Sequence, residues 1–441
     1  MSICLSLGHR SAQSPSPVSL FEVRTSVTRL WLLVFLIPVA WQLWLAPITG
    51  LADNGDFAKV IGRFALSPVD PGPQPTFHFF HRYWQSNPAA AWQSPYWGIE
   101  VWLAKLAVTV AGTQPFDIIW LGLLHTAIFM GSAWLMIRKQ LAPNLFAVIA
   151  FTDAAYVTYF HSFYFDTASI LFLLLLFASW LAKQPIPLAI AGIGFALAKA
   201  PHAPLAVLLG LILLAEKNRR FLPAALALLV GGSYMLSQTK DEYKATAYYN
   251  LAFFKLAQKD PQALDALKIR AEDRHLVGTH AFMPDSPAQN TKWLKRFYPA
   301  GGYGNALRYY LTHPSVTAEV LWADLSTEAT QIRAVNLGNY ERSTGKRYCA
   351  LSTSFSWYSQ LKSWLFLRAP WHIFIVIGVA AWRVGNRPIL WAVLAAMGYE
   401  YGIASLADAC ETYRHLLLFH LATDLLIWLV IETQSKPASS L

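Results

Sequence analysis

The chain has 441 residues, 55% of them hydrophobic and only 14% charged, with 18 tryptophans. That is more apolar surface than a water-soluble fold of this length can hide, so the composition excludes an ordinary soluble domain and makes the bilayer the solvent. The net charge of +10 is clustered beside apolar runs, where it is the usual topological signal, and no nucleic-acid partner is expected from it.

In chain order, residues 1–28 are polar and carry Ser, Pro and Arg, with no apolar core leading to a small-residue cleavage site. They read as a disordered cytoplasmic tail rather than a signal peptide. Apolar runs near the roughly twenty residues needed to cross about 30 Å of hydrocarbon then follow. They run from Leu30 to Ile48, Ile118 to Ile137, Leu145 to Phe160, Thr167 to Ala182, Phe221 to Ser237, Trp364 to Trp382, Ile389 to Leu406 and Leu416 to Ile431. Leu188 to Ala198 and Ala203 to Leu214 are shorter and bounded by Pro185, Pro187, Pro201 and Pro204, either as two thin spans or as a re-entrant pair.

The expected fold class is therefore all-α, a polytopic membrane protein of about ten transmembrane helices. An N-terminal bundle spans 29–237, with a first outer loop at 49–95 and an interfacial helix at 96–112. A large extracytoplasmic loop domain covers 238–361, C-terminal transmembrane helices cover 362–432, and a cytoplasmic tail covers 433–441. Helical periodicity inside the large loop appears at Tyr243 to Gln258, Ala263 to Arg274 and Leu307 to Leu311, and His313-Pro314 reads as the start of another helix.

Orientation follows from Lys and Arg in the short connections. If Trp92 to Gly112 lies along the surface, one side collects Arg10, Arg24, Arg29, Arg138, Lys139, Lys183, Lys217, Arg219, Arg220, Arg383, Arg387 and Lys436, while the short loops opposite offer little beyond Lys199. The first side is then cytoplasmic, with both termini inside a plasma (inner) membrane. Cys349 and Cys410 would face outward, where they can pair or stay as free thiols, and Cys4 would face inward.

The unusual polar residues gather on the other side. Asp53, Asp56, Arg63, His81, Arg82, His161, Asp166, Lys199, His202, Asp324, Glu328, Asp408, Glu411, Arg414 and His415 all fall at or beyond the outer ends of the spans. Acids, bases and cations brought to one face at membrane depth suit an enzyme acting on a lipid-linked substrate. Each also has a plainer reading. Asp53 and Asp56 suit N-capping of a helix starting near Phe57, and Lys199 and Arg414 suit snorkelling to head groups. Trp84, Trp92 and Trp97 suit an interfacial aromatic belt. His420 and Asp424 read as a mutually satisfied pair on the last helix, and Asp153 and Glu400 either pair with a neighbouring helix or line a cavity. No Cys/His cluster has zinc spacing, and there is no Gly-rich phosphate loop.

An acidic motif opening the first outer loop, an interfacial helix after it, and a large outer loop resemble the glycosyltransferase C superfamily of integral-membrane enzymes that use polyprenyl-phosphate sugars. The strings Asp53-Asn-Gly-Asp-Phe57, His161-Ser-Phe-Tyr-Phe-Asp166, Leu337-Gly-Asn-Tyr-Glu341 and Glu411-Thr-Tyr-Arg-His415 are similar to those of bacterial glycan hexosyltransferases. The resemblance implies a catalytic base among the first-loop acids, with Asp56 the best match, then Asp53, and with Asp166 as a further candidate. The family often has the two acids adjacent; here they stand three apart.

Sugar transfer from a lipid phosphate also needs cations for the leaving phosphate, for which Arg414, Lys199, Arg82 and His202 are the candidates. Trp84, Trp92, Tyr96 and Trp97 suit stacking on sugar faces. His81, His161, Tyr164, Trp84, Glu411 and His415 complete the expected substrate-binding set. No organic cofactor is called for, and a divalent metal at the acids is kept as an alternative. The expected partners are a polyprenyl-phosphate sugar, a glycan, lipid or protein acceptor, and membrane lipids. A flippase for a lipid-linked saccharide is the rival; it predicts internal repeats and charges near the bilayer midplane, and no repeat is visible. A non-enzymatic assembly subunit is a second rival.

Overall fold

The computed structural model describes residues 17–72, 78–94, 96–300 and 302–434, with side chains described from residue 26 except at 299 and 300. Cys4, Arg10, Phe77, Pro95, Gly301, Lys436 and both chain ends lie outside the described residues, and the side chain of Arg24 is not described.

The first helix, α1 (Pro17–Leu43), starts well before residue 28, so the expected polar tail is shorter than the sequence suggests. Pro17 sits at the first helical position, where a missing N–H costs nothing, and neither Pro nor Gly follows until Pro38. Next come α2 (Ile99–Ala111), α3 (Ile119–Met136), α4 (Leu141–Phe151) and α5 (Phe165–Leu181). They are followed by α6 (Pro185–Ala196), α7 (Ala203–Ala215) and α8 (Leu222–Gln238).

Helix α5 is the hub. Every residue from Phe165 to Trp180 is buried, which matches an apolar run with no polar face. It packs on α3 and α6. The α6 contact is close: a Cβ at Gly194 would stand 2.2 Å from the Phe172 ring, so only glycine lets the backbones approach this far.

The large loop carries α9 (Asp241–Tyr249), a π-helical stretch Asn250–Leu256, α10 (Thr291–Ala300), α11 (Tyr303–Thr312) and α12 (Pro314–Ser326). Its side chains form a separate core around Tyr248, Tyr249, Phe253, Phe297 and Tyr309. The chain returns through α13 (Trp357–Arg368), α14 (His372–Val384), α15 (Pro388–Ile403) and α16 (Leu417–Gln434). Helix α13 begins inside the region expected to be loop. It exposes Trp357, Leu361, Trp364 and Leu367 on one face and buries Tyr358, Ser359, Lys362 and Phe366, a buried side that mixes polar and apolar groups.

Among the described residues, 5 helices are long and apolar enough to cross a membrane, or up to 8 if each of three bent pairs is one span. The expected ten is reached only by also counting α5, α6 and α7 individually. Helices α6 and α7 fold back on each other at a 120° bend, and at about 1.5 Å per residue neither reaches about 30 Å alone.

Two small sheets, which the all-α reading did not anticipate, fasten the loops at one end. Strand β1 (Thr49–Leu51) pairs antiparallel with β5 (Leu337–Tyr340), with Thr49 opposite Tyr340 and Gly50 opposite Asn339. Strands β2 (Leu66–Pro68), β3 (Tyr83–Ser86) and β4 (Phe116–Asp117) form the other.

Candidate functional site

The acidic loop leaves β1 at a crowded point. A Cβ at Gly50 would fall 2.4 Å from the Phe80 ring and 2.9 Å from the His161 Cβ. Ala52 is held by Asn336 of the large loop: its N–H donates to the Asn336 carbonyl at 3.0 Å and its carbonyl accepts from the Asn336 side-chain amide Nδ2 at 3.0 Å. Asp53 Oδ1 then accepts from the N–H of Gly55 at 2.7 Å and of Phe57 at 3.0 Å. Asp53 thus braces the turn, while the short helix that follows, Ala58–Ile61, has Phe57 at its N-cap and no side-chain cap, so neither acid caps it. Gly55, at φ 103°, permits the turn, and buried Phe57 anchors it against Trp84, Phe163 and Tyr164.

That turn aims Asp56 at two cations. Lys59 Nζ stands 2.5 Å from Oδ1 and Arg414 Nη2 stands 3.0 Å from Oδ2. The same Arg414 nitrogen is 3.0 Å from Glu411 Oε2, and the guanidinium lies 5.5 Å from the centre of the Tyr164 ring. Tyr164 donates its hydroxyl hydrogen to Asn54 Oδ1. Arg414 is delivered by a strained turn, in which a π-helical stretch Ala404–Asp408 is followed by Ala409 and Glu411 at left-handed φ of 64° and 53°; such backbone costs free energy and clusters at functional sites.

The two acids are electrostatically unlike. Burial pushes Asp53 up to about 6 against the opposing Phe57 and Gly55 N–H groups. Burial also acts on Asp56, but Lys59 and Arg414 outweigh it and hold this carboxyl well below the usual carboxylate range.

A second acid–cation pair stands nearby. Lys199, at the tip of the α6–α7 hairpin, places Nζ 2.9 and 3.1 Å from the two oxygens of Asp166 at the start of α5. Beside it His202 Nδ1 is 2.8 Å from Glu400, and His415 Nε2 is 3.3 Å from Asp408. Burial pushes His415 down to about 4 despite Asp408. All six line a cleft of about 20 Å³, room for about one water.

A larger cavity of about 240 Å³ takes the lysine of each pair into its walls. Its walls include Lys59, Tyr96, Trp97, Lys199, Tyr234 and Tyr243. The Lys59 ammonium also lies 4.9 Å from the Tyr96 ring centre, a cation–π arrangement.

Other expected residues are placed elsewhere. Arg82 is spent on Asp117 through a fork at 2.7–3.1 Å, so its charge does not reach the cavity. His161 is buried, stacked on Phe80 and bonded through Nδ1 to the Thr49 carbonyl at 3.0 Å. Trp84 is wholly buried, with its indole N–H on the His81 carbonyl. Both serve the core beneath the loop, and their rings are not open to a sugar. Of the four aromatics expected to stack, Tyr96 and Trp97 line the cavity. Cys349 and Cys410 are both free.

Within the bundle, Asp424 does not pair with His420. It accepts instead from Tyr156 Oη at 2.6 Å, Tyr358 Oη at 2.7 Å and Lys362 Nζ at 2.8 Å. Asp153 caps Ala155 and accepts from the Ser359 N–H, tying a helix start to α13. Among the described residues no group of three or more His, Cys, Asp or Glu is placed to hold a metal ion, so the metal alternative finds no ligand set there.

Lys59 was missing from the candidates, although its place three residues after Asp56 is the helical pairing distance. Tyr243 and Asn336 had no local signal, because each reaches the site from the large loop.

Fold and site together define a polytopic helical membrane protein with acids, lysines and an arginine converging where its two long loops meet. The chain belongs to the family described as the YfdI N-terminal transmembrane domain, which matches residues 18–433. No curated protein and no solved structure gives a significant match.

Proposed function

We propose that this protein is a membrane glycosyltransferase that moves a sugar from a polyprenyl-phosphate donor to a cell-envelope glycan, lipid or protein on the outer face of the membrane. The observation that carries this reading is a cavity whose walls include both Lys59 and Lys199, the cations paired with Asp56 and Asp166. Two ammonium groups suit a phosphate, and Tyr96 and Trp97 suit a sugar face. Apolar side chains of α8, among them half-exposed Tyr234, suit the lipid chain.

In the reaction, an acceptor hydroxyl gives its proton to the Asp56 carboxylate as its oxygen bonds to the anomeric carbon. The bond from that carbon to the phosphate oxygen breaks, and the polyprenyl phosphate leaves with the electron pair. Lys59 and Lys199 stabilise the charge on the departing phosphate.

Buried ionisable pairs inside the bundle, Glu100–His125 and Lys362–Asp424, are what the flippase reading would call for. Neither lines the cavity, and Lys362–Asp424 is satisfied by its own neighbours, which favours transfer. Purified protein in liposomes, given a panel of polyprenyl-phosphate sugars and candidate acceptors, should release polyprenyl phosphate in step with sugar transfer. Movement of a labelled lipid-linked saccharide between leaflets without transfer would replace this reading with the flippase.

A further inference from the structure

We infer that Lys59 is a shuttling positioning residue: it holds Asp56 when the cavity is empty and transfers to the phosphate of an arriving lipid donor, so that donor binding releases the base. The inference rests on the glycosyltransferase reading and adds an order of events to it. Three observations carry it. Both oxygens of Asp56 are engaged by cations, Lys59 on Oδ1 and Arg414 on Oδ2, and a carboxylate held this way is a weak proton acceptor. The two cations differ in freedom. Both cations rest against a ring, Arg414 on Tyr164 and Lys59 on Tyr96, but Arg414 is also tied to a second carboxylate, Glu411, whereas Lys59 rides on a flexible four-carbon stem from the short helix Ala58–Ile61 and is about a quarter exposed. Lys59 is also the partner of Asp56 that lines the cavity, together with Lys199.

The charge balance gives the direction. An anionic phosphate between Lys59 and Lys199 competes with Asp56 and Asp166 for their ammonium groups, and the lysine that swings toward it leaves Asp56 Oδ1 open to an acceptor hydroxyl. An empty site keeps its base quenched, and a loaded one frees it. Acceptor activation then follows donor binding, which limits proton abstraction when no donor is present.

Dicyclohexylcarbodiimide labels carboxyls that can be protonated, and fragment masses separate Asp56 from Asp53. The measurement is the pH midpoint of Asp56 labelling in the full protein in detergent, alone, with a polyprenyl monophosphate, and with inorganic phosphate. The lipid should raise the midpoint by at least about one pH unit, a tenfold change in proton affinity. Lys59→Met should raise it without lipid and respond no further, while Lys59→Arg should restore the lipid response. An unchanged midpoint while native mass spectrometry shows the lipid bound, or a Lys59→Met protein that still responds, would overturn the inference and leave the glycosyltransferase reading intact. No bound lipid at all would overturn both. An equal response to inorganic phosphate would keep the shuttle and remove the lipid from it.

Discussion

Arg414 Nη2 lies 3.0 Å from Asp56 Oδ2 and 3.0 Å from Glu411 Oε2. One guanidinium nitrogen thus joins the acidic loop after β1 to the strained turn before α16. Under the proposed reading this contact would set the position of Asp56 as the base, with Lys59 and Lys199 left to face the donor phosphate.

Arg414→Lys keeps the charge but loses the geometry that spans two carboxylates. Charge-assisted hydrogen bonds are worth about 1.5–3 kcal/mol each, so turnover should fall roughly tenfold to a hundredfold, and Arg414→Ala should be worse. Steady-state kinetics at varied donor decide the matter: a change confined to donor KM would return Arg414 to the phosphate.

Asp56→Asn preserves shape and removes the proton acceptor. Transfer should drop at least about a hundredfold with protein level unchanged. Near-normal turnover would move the base to Asp53 or Asp166.

Asp53 titrates near 6 because burial outweighs its N–H partners. Its carboxylate is charged above that pH and neutral below, and as a carboxylate it accepts most strongly from the Gly55 and Phe57 N–H groups that shape the turn presenting Asp56. Log kcat/KM should therefore rise with pH through about 6 and level off, and this acid limb should vanish in Asp53→Asn. A limb that persists unchanged in the variant belongs to another group.

Lys199→Ala removes one of the two ammonium groups facing the cavity and leaves Asp166 without its cation. Donor KM should rise about tenfold, the cost of about one such contact, with a smaller change in kcat. An unaltered KM would mean that Lys199 serves only to dock the α6–α7 hairpin on α5.

Lys362 and Asp424 are both buried, and removing one partner of a buried pair costs about 3–5 kcal/mol. Lys362→Met should lower the thermal midpoint in detergent markedly, and the double variant Lys362→Met, Asp424→Leu should recover much of the loss. If the single variant matches the parent, the pair is not a clasp between α13 and α16.

Much of the bundle was legible in the sequence because lipid imposes a simple rule, that apolar length marks a helix, although the runs Leu145 to Phe160 and Trp364 to Trp382 are each broken by a bend, of 51° and 108°. The first part of helix α13 escaped that rule because Gln360, Lys362 and Ser363 dilute the average. Asp53, Asp56, Asp166, Lys199 and Arg414 were legible as a set, since polar groups at span ends stand out. Their pairing was not. That Arg414 meets Asp56, that Arg82 is consumed by Asp117, and that Asp424 prefers Lys362 to the nearer His420 are all decided by contacts between distant segments. The β1–β5 register belongs here too, because strands of three or four residues leave no periodic trace.

That strand pair also gives the site a clock. β1 emerges early in synthesis, but its partner β5 and the turn bearing Arg414 belong to the last third of the chain. At about 5–20 residues per second, Asp56 waits roughly a quarter of a minute to a minute for its second cation. Until then Lys59 is the companion it has within its own loop. The acidic loop must therefore remain folded and harmless beside a growing, half-inserted bundle, and a chain truncated before residue 337 would carry the acids without the framework that aims them.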